Sequence, residues 1–164
     1  MSDRLELRPA REDEYAAVGQ LTVDGYVYDG FLEPDDDYAE HLADAAQRAA
    51  DAELIVALSD GELLGTVTFC QPESPLRELS RDGEAEFRML AVSPAARGRG
   101  VGRALVEKCF DRARELGLSE MVICSMTRMT AAHRLYAAMG FERDPSLDWE
   151  PVPDVRLLAF RRPV

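Results

Sequence analysis

Arginine and glycine alternate through Arg97-Gly98-Arg99-Gly100-Val101-Gly102-Arg103, a spacing suited to holding an anion. An apolar run, Phe87 to Val92, precedes it, and an amphipathic segment, Val101 to Leu116, follows. Strand, turn and helix in that order place backbone N–H groups around a negative charge. Glycines admit positive φ and let the backbone come close. The first N–H groups of a helix lack internal partners and sit at the positive end of its dipole. Arg97, Arg99 and Arg103 add planar donors that fork onto phosphate oxygens. The predicted ligand group is a pyrophosphate.

Spacing separates the anion sites that share such glycines. A P-loop requires Lys and then Ser or Thr at the helix start, whereas Gly102 is followed by Arg103 and Ala104. A dinucleotide fingerprint requires a third Gly or Ala, and an acidic residue at the end of the next strand. Counting from Gly98 and Gly100 places Arg103 third, and Glu120 stands at the start of its strand. The pattern that fits is R-x-x-G-x-G, as Arg97, Gly100 and Gly102, preceded by Met89-Leu90-Ala91-Val92-Ser93-Pro94. A second motif, Ala132-His133-Arg134-Leu135-Tyr136-Ala137-Ala138-Met139-Gly140-Phe141, reads A-x-x-L-Y-x-x-x-G-F.

Together these motifs resemble the GCN5-related N-acetyltransferase superfamily, specifically between Ala85 and Phe141. The resemblance implies acetyl-CoA as co-substrate, held by Leu90, Ala91, Val92, Arg97, Gly98, Arg99, Gly100, Val101, Gly102 and Arg103. It implies a fourth strand that ends in a bulge, splays from the fifth, and offers backbone groups of Leu90 and Val92 to the pantetheine arm. The implied reaction is direct attack of a primary amine on the thioester. The implied acid is Tyr136, protonating the departing thiolate. A phenol near pKa 10 can donate to a thiolate whose conjugate acid lies near about 8.5.

An amine must lose a proton before it attacks. Glu86 is the candidate base, in an Ala-Glu-apolar run like that of protein-acetylating relatives, with a water chain as the alternative. Strand alternation predicts Glu86, Arg88 and Leu90 on one face. One departure stands out. Where many relatives carry Asn, seven residues before the tyrosine, this chain has Met129, which lacks an amide; Thr127 and Thr130 are possible substitutes. His133 shares a helix face with Tyr136 but reads as a packing residue, and His41 is isolated. Two histidines without acidic or cysteine companions predict no metal. Ser93 and Ser125 have no histidine and aspartate spacing for a nucleophile, and direct transfer needs none.

These groups need a scaffold, and the hydrophobic pattern supplies one. Strands are predicted at Arg4–Arg8, Leu54–Leu58, Leu63–Phe69, Ala85–Val92, Met121–Ser125 and Val155–Phe160. Helices are predicted at Arg11–Leu21, Asp37–Asp51, Val101–Leu116 and Thr130–Met139. The fold class is α/β (α+β mixed sheet): a twisted, mostly antiparallel sheet of about seven strands with a splayed parallel central pair, flanked by four helices. A loop from Asp24 to Asp37, with Tyr26, Tyr28 and Phe31 among Gly25, Gly30 and Pro34, is the candidate acceptor-binding segment. The Gln71–Gly83 loop and the Trp149 segment complete the predicted acceptor pocket.

Composition bounds the rest. A chain of 164 residues, 46% hydrophobic and 30% charged, reads as a single soluble N-acetyltransferase domain over 1–164. A net charge of −12 disfavours nucleic acid and suits a cationic acceptor as well as plain solubility. No apolar run is long enough for a membrane span, and Met1-Ser2-Asp3-Arg4 lacks an export signal, so a cytoplasmic location is expected. Cys70, Cys109 and Cys124, widely spaced, read as reduced thiols. Lys108 is the only lysine against eighteen arginines, a GC-rich bias typical of bacteria. The acceptor is read as a small-molecule amine, with a protein N-terminus or lysine, or a non-catalytic acyl-CoA-binding regulatory module, as alternatives. A homodimer is a further expectation from the resemblance.

Overall fold

In the computed structural model, residues 4–33 and 35–164 are described. Met1, Ser2 and Asp3, used in the localisation reading, and Pro34, placed in the acceptor loop, lie outside the described residues. The chain forms β1 (Glu6–Pro9), a 3-10 turn, α1 (Tyr15–Tyr28), α2 (Asp37–Ala43), α3 (Ala45–Asp51), β2 (Glu53–Ser59) and β3 (Glu62–Cys70). It continues as β4 (Glu84–Val92), α4 (Val101–Glu115), β5 (Glu120–Met126), α5 (Thr130–Ala138), β6 (Glu142–Arg143), β7 (Trp149–Val152) and β8 (Val155–Pro163). The sheet order is β1-β2-β3-β4-β5-β8-β6, with β7 on β8, and among the described residues only β4 and β5 run parallel. No helix among the described residues is long and apolar enough to cross a membrane.

Helices cover both faces of the sheet. On one face α4 and α5 bury Leu105, Phe110 and Tyr136 against Phe69, Phe87 and Ile123. On the other, Val18 and Ala45 pack on β2, and Leu32, Ala39 and Leu42 pack on Met89 of β4. Asp60 and Gly61, with φ of 50° and 80°, turn β2 into β3 as the Asp-Gly pair predicts.

The mixed sheet matches the expected class, and three details differ from the sequence reading. The first helix runs seven residues beyond Leu21, so Tyr26 and Tyr28 lie on its last turn rather than in a loop. Gly25 does not break it; the residue is buried, and a Cβ added there would stand 3.7 Å from the Ala91 Cβ, so the helix packs closely on β4 at this point. The predicted helix from Asp37 to Asp51 is two helices. Asp44, at φ −83° and ψ 68°, ends α2, and its carboxylate caps α3 at the Gln47 N–H. Arg48 then donates to the His41 and Leu42 carbonyls at 3.2 and 2.6 Å, satisfying the end of α2. The strands β6 and β7, of two and four residues, are too short to carry a period.

The fourth strand carries the bulge that the resemblance implies, and this bulge positions the site. Thr66 pairs with Ala91 and Thr68 with Arg88, so Val67 faces both Met89 and Leu90. This is a β-bulge, and Met89 sits in it at φ 54°. The extra residue reverses the alternation: Met89 packs with Leu32 and Leu42, whereas Leu90 and Val92 pack on the α4–α5 side. Leu90 therefore does not share the face of Glu86 and Arg88, as strict alternation predicts. Beyond Ala85↔Met121, β4 and β5 form no further ladder pairs among the described residues, and the two strands separate.

Candidate functional site

The separated strands and the glycine turn open into one cavity of about 540 Å³. Its walls are the end of α1, the Leu90–Val92 segment of β4, the start of α4, and residues 128–132 leading into α5. Gly98 and Gly100 adopt φ of 78° and 77°, which an L side chain adopts at a cost, so the Arg-Gly alternation is a backbone requirement here. Gly100 is the N-cap of α4, and no side chain caps the helix. The N–H groups of the first turn of a fifteen-residue helix thus lie at the cavity, with no side-chain cap among the described residues.

All the candidate acetyl-CoA-binding residues line this cavity except Arg99. The Arg97 guanidinium pairs with Asp29, donates to the Val92 carbonyl at 3.3 Å, and stacks 5.4 Å from the Tyr28 ring. Arg103 reaches Glu107 at 3.3 Å and is half exposed. A third cation, Arg128, lies over the Phe31 ring and donates to the Gly30 carbonyl at 3.4 Å. Nothing in the sequence marks Arg128, because its place depends on how the turn before α5 folds back on α1.

The candidate acceptor aromatics divide. Tyr26 and Phe31 line the cavity, whereas Tyr28 is 70% exposed and lies under Arg97 at the rim. Met129, in the place of the usual Asn, lines the wall with Thr130; Thr127 is exposed outside it. The Ser125 hydroxyl lies 3.4 Å from the Met129 sulfur and 3.2 Å from His133 Nε2. His133 packs on Phe160, and burial lowers its pKa, so it is a neutral packing group at neutral pH.

Tyr136 and Glu86 do not line the cavity. Tyr136 is buried, its ring edge-on to Phe87 and Phe160 and tilted against Phe141. Burial raises its pKa, which keeps the phenol protonated. Glu86 is fully buried. Its carboxylate accepts three backbone N–H bonds, from Glu78, Leu79 and Ser80, at 2.8, 2.9 and 2.8 Å. It therefore ties down the loop between β3 and β4.

That loop brings a second carboxylate to the same strand. Glu78 pairs with Arg88 Nε at 2.9 Å and accepts from the Cys124 thiol at 3.6 Å. Burial pushes the Glu78 pKa up despite the neighbouring guanidinium. Burial opposes the charge on Arg88, yet its pKa is raised, with the Glu78 carboxylate the foremost of the groups that favour the charge. Glu78 stands in an irregular loop with no motif around it, so only the fold reveals it.

A family model described as "Acetyltransferase (GNAT) family" matches residues 15–141. N-acetyltransferase family 8 member 3 of Rattus norvegicus is 33% identical over 88 residues, covering 54% of this chain and 37% of its own. L-2,4-Diaminobutyric acid acetyltransferase of Nocardia farcinica is 32% identical over 101 residues, covering 61% of this chain and 49% of its own. Thus the chain spans between about a third and a half of the length of these curated relatives. A Salmonella typhimurium protein, solved with its cofactor acetyl-CoA, superposes with a TM-score of 0.69 at 23% identity, over 97% of this chain and 93% of that one.

Proposed function

Because this chain belongs to the acetyltransferase (GNAT) family, we propose that it transfers an acetyl group from acetyl-CoA directly to a primary amine of a small molecule. The observation that carries this reading is the cavity joining an uncapped helix N-terminus to the unpaired edge of β4. The first suits a pyrophosphate and the second suits an amide-bearing arm that pairs like a strand. A volume of about 540 Å³ lies within the usual range for such ligands. Arg97, Arg103 and Arg128 all line this cavity, which supports a phosphate-binding end. The name of the Nocardia farcinica relative, an amine acetyltransferase, supports a small acceptor.

In this reading the amine nitrogen attacks the thioester carbon, and N–H groups of β4 polarise its carbonyl oxygen. As the C–S bond breaks, sulfur takes the electron pair. Tyr136 is the proposed proton donor to that sulfur. A raised pKa makes the phenol a hydrogen-bond donor to the developing charge, not a group that ionises beforehand.

An amine screen tests the proposal. Purified protein is mixed with acetyl-CoA and each of L-2,4-diaminobutyrate, spermidine and an alanine-terminated tetrapeptide, and free thiol is followed. Release with a small amine, with the acetylated product seen by mass spectrometry, is the expected result. Release with the peptide alone would move the acceptor to protein N-termini.

A further inference from the structure

Resting on the amine-acetylation reading, we propose that Glu78 is the group that takes the acceptor's proton, and that Glu86 is a positioning residue that holds the Glu78 loop in place. The argument begins with what each carboxylate already does. Both Glu86 oxygens are occupied by the N–H groups of residues 78–80, and the side chain has no exposed surface. Three such bonds commit both carboxylate oxygens to the loop backbone, so neither is turned toward an incoming amine.

Glu78, like Glu86, is outside the cavity lining, but it bridges the two strands that separate to form the cavity. The three bonds fix its own backbone and the next two residues over β4, and its side chain reaches both strands of the splayed pair: Arg88 on β4 and Cys124 on β5. Its side chain keeps 18% of its surface exposed, enough for a proton to leave to water. The groups around it are Arg88 and Glu86 from β4, Cys124 from β5, Tyr38 from α2 and Cys70 from β3. Arg88 is the only cation among them, and it also donates to the Leu76 carbonyl at 3.2 Å, so it is held within the loop.

The proton account is complete without another reagent. An incoming R–NH3+ gives one proton to the Glu78 carboxylate and becomes R–NH2. Its lone pair forms the C–N bond, the C–S electrons leave on sulfur, and a second nitrogen proton ends on that sulfur by way of Tyr136. Glu78 returns its proton to solvent, so amide, thiol and one released proton result.

The test compares E78Q and E86Q with the parent protein. Acetyl-CoA affinity is measured by calorimetry, and thiol release with the best amine of the screen is measured across pH. E78Q is expected to bind acetyl-CoA within about twofold of the parent, to lose about 10²-fold or more in kcat, and to lose the acid-side limb of the pH profile. E86Q is expected to lose activity and raise KM while keeping that limb, because the titrating group is still present. E78D, shorter by one methylene, should recover part of the rate with the limb restored. Retention of the limb in E78Q with its loss in E86Q would overturn the proposal and make Glu86 the base. A parent protein that binds acetyl-CoA yet releases thiol with no amine would sink the transfer reading and this proposal together.

Discussion

Arg97 and Asp29 face each other at the mouth of the cavity, and a bound pyrophosphate would have to share or displace that pair. Asp29→Asn removes a negative charge next to the phosphate site, and acetyl-CoA affinity should rise several-fold, most at low salt. Arg103→Glu should weaken it by tenfold or more, by replacing a donor with a like charge. Calorimetry on the two variants checks both signs. Tyr136→Phe keeps the ring contacts with Phe87, Phe141 and Phe160 and removes only the hydroxyl. Its kcat should fall at least tenfold while acetyl-CoA binding stays within twofold; equal turnover would remove the acid role. Chemistry-bearing residues were legible where a motif fixed them, as with Gly98, Gly100 and Arg103 lining one cavity. Glu78 and Arg128 were not, because each depends on a long-range fold-back rather than on spacing. Glu86 shows a third case: its position was readable, but its three backbone partners come from an irregular loop with no period.

At the scale of elements, two contacts are open to measurement. Asp148 receives Arg143 through both guanidinium nitrogens at 2.8 and 2.7 Å and the Ala159 N–H at 2.8 Å, tying the last three strands together. The Arg143 pair, against the effect of burial, holds its carboxyl down at about 2, below an ordinary value of 3.8. A depressed folded-state pKa means that the stabilisation is fully present above the ordinary value and is lost as pH falls from about 4 towards 2. Acid titration of Tm should show a loss in that window that Asp148→Asn lacks. Gly19 of α1 lies so close to α2 that an added Cβ would stand 2.1 Å from the Ala43 carbonyl oxygen. Gly19→Ala should destabilise by about 1–3 kcal/mol or more, read as a lower denaturant midpoint with the slope unchanged. Strand and helix positions were largely visible in the hydrophobic period. The exceptions have local physical causes: the Asp44 and Arg48 capping that divides α2 from α3, and the placing at Met89 of the bulge that the resemblance implied only for the end of the strand. A left-handed methionine carries strain of about 1–3 kcal/mol and has no sequence signature, since glycine is the residue that such a turn favours.

Taken as one molecule, the protein puts a concentrated cationic rim on a chain of net charge −12. The overall field opposes an anionic acyl carrier and favours a cationic acceptor, so acyl-carrier affinity must come from the local site: the α4 N-terminus, the arginines around it, and the open edge of β4. The arrangement has a direct thermodynamic signature. Calorimetric titration with acetyl-CoA, set beside adenosine 3′,5′-bisphosphate, separates the phosphate contacts from those along the separated strands. Micromolar binding of acetyl-CoA, with the bisphosphate much weaker, is the predicted result. Equal affinity for the two would place no pantetheine arm against β4, and absence of binding at millimolar acetyl-CoA would contradict the acyl-CoA site altogether.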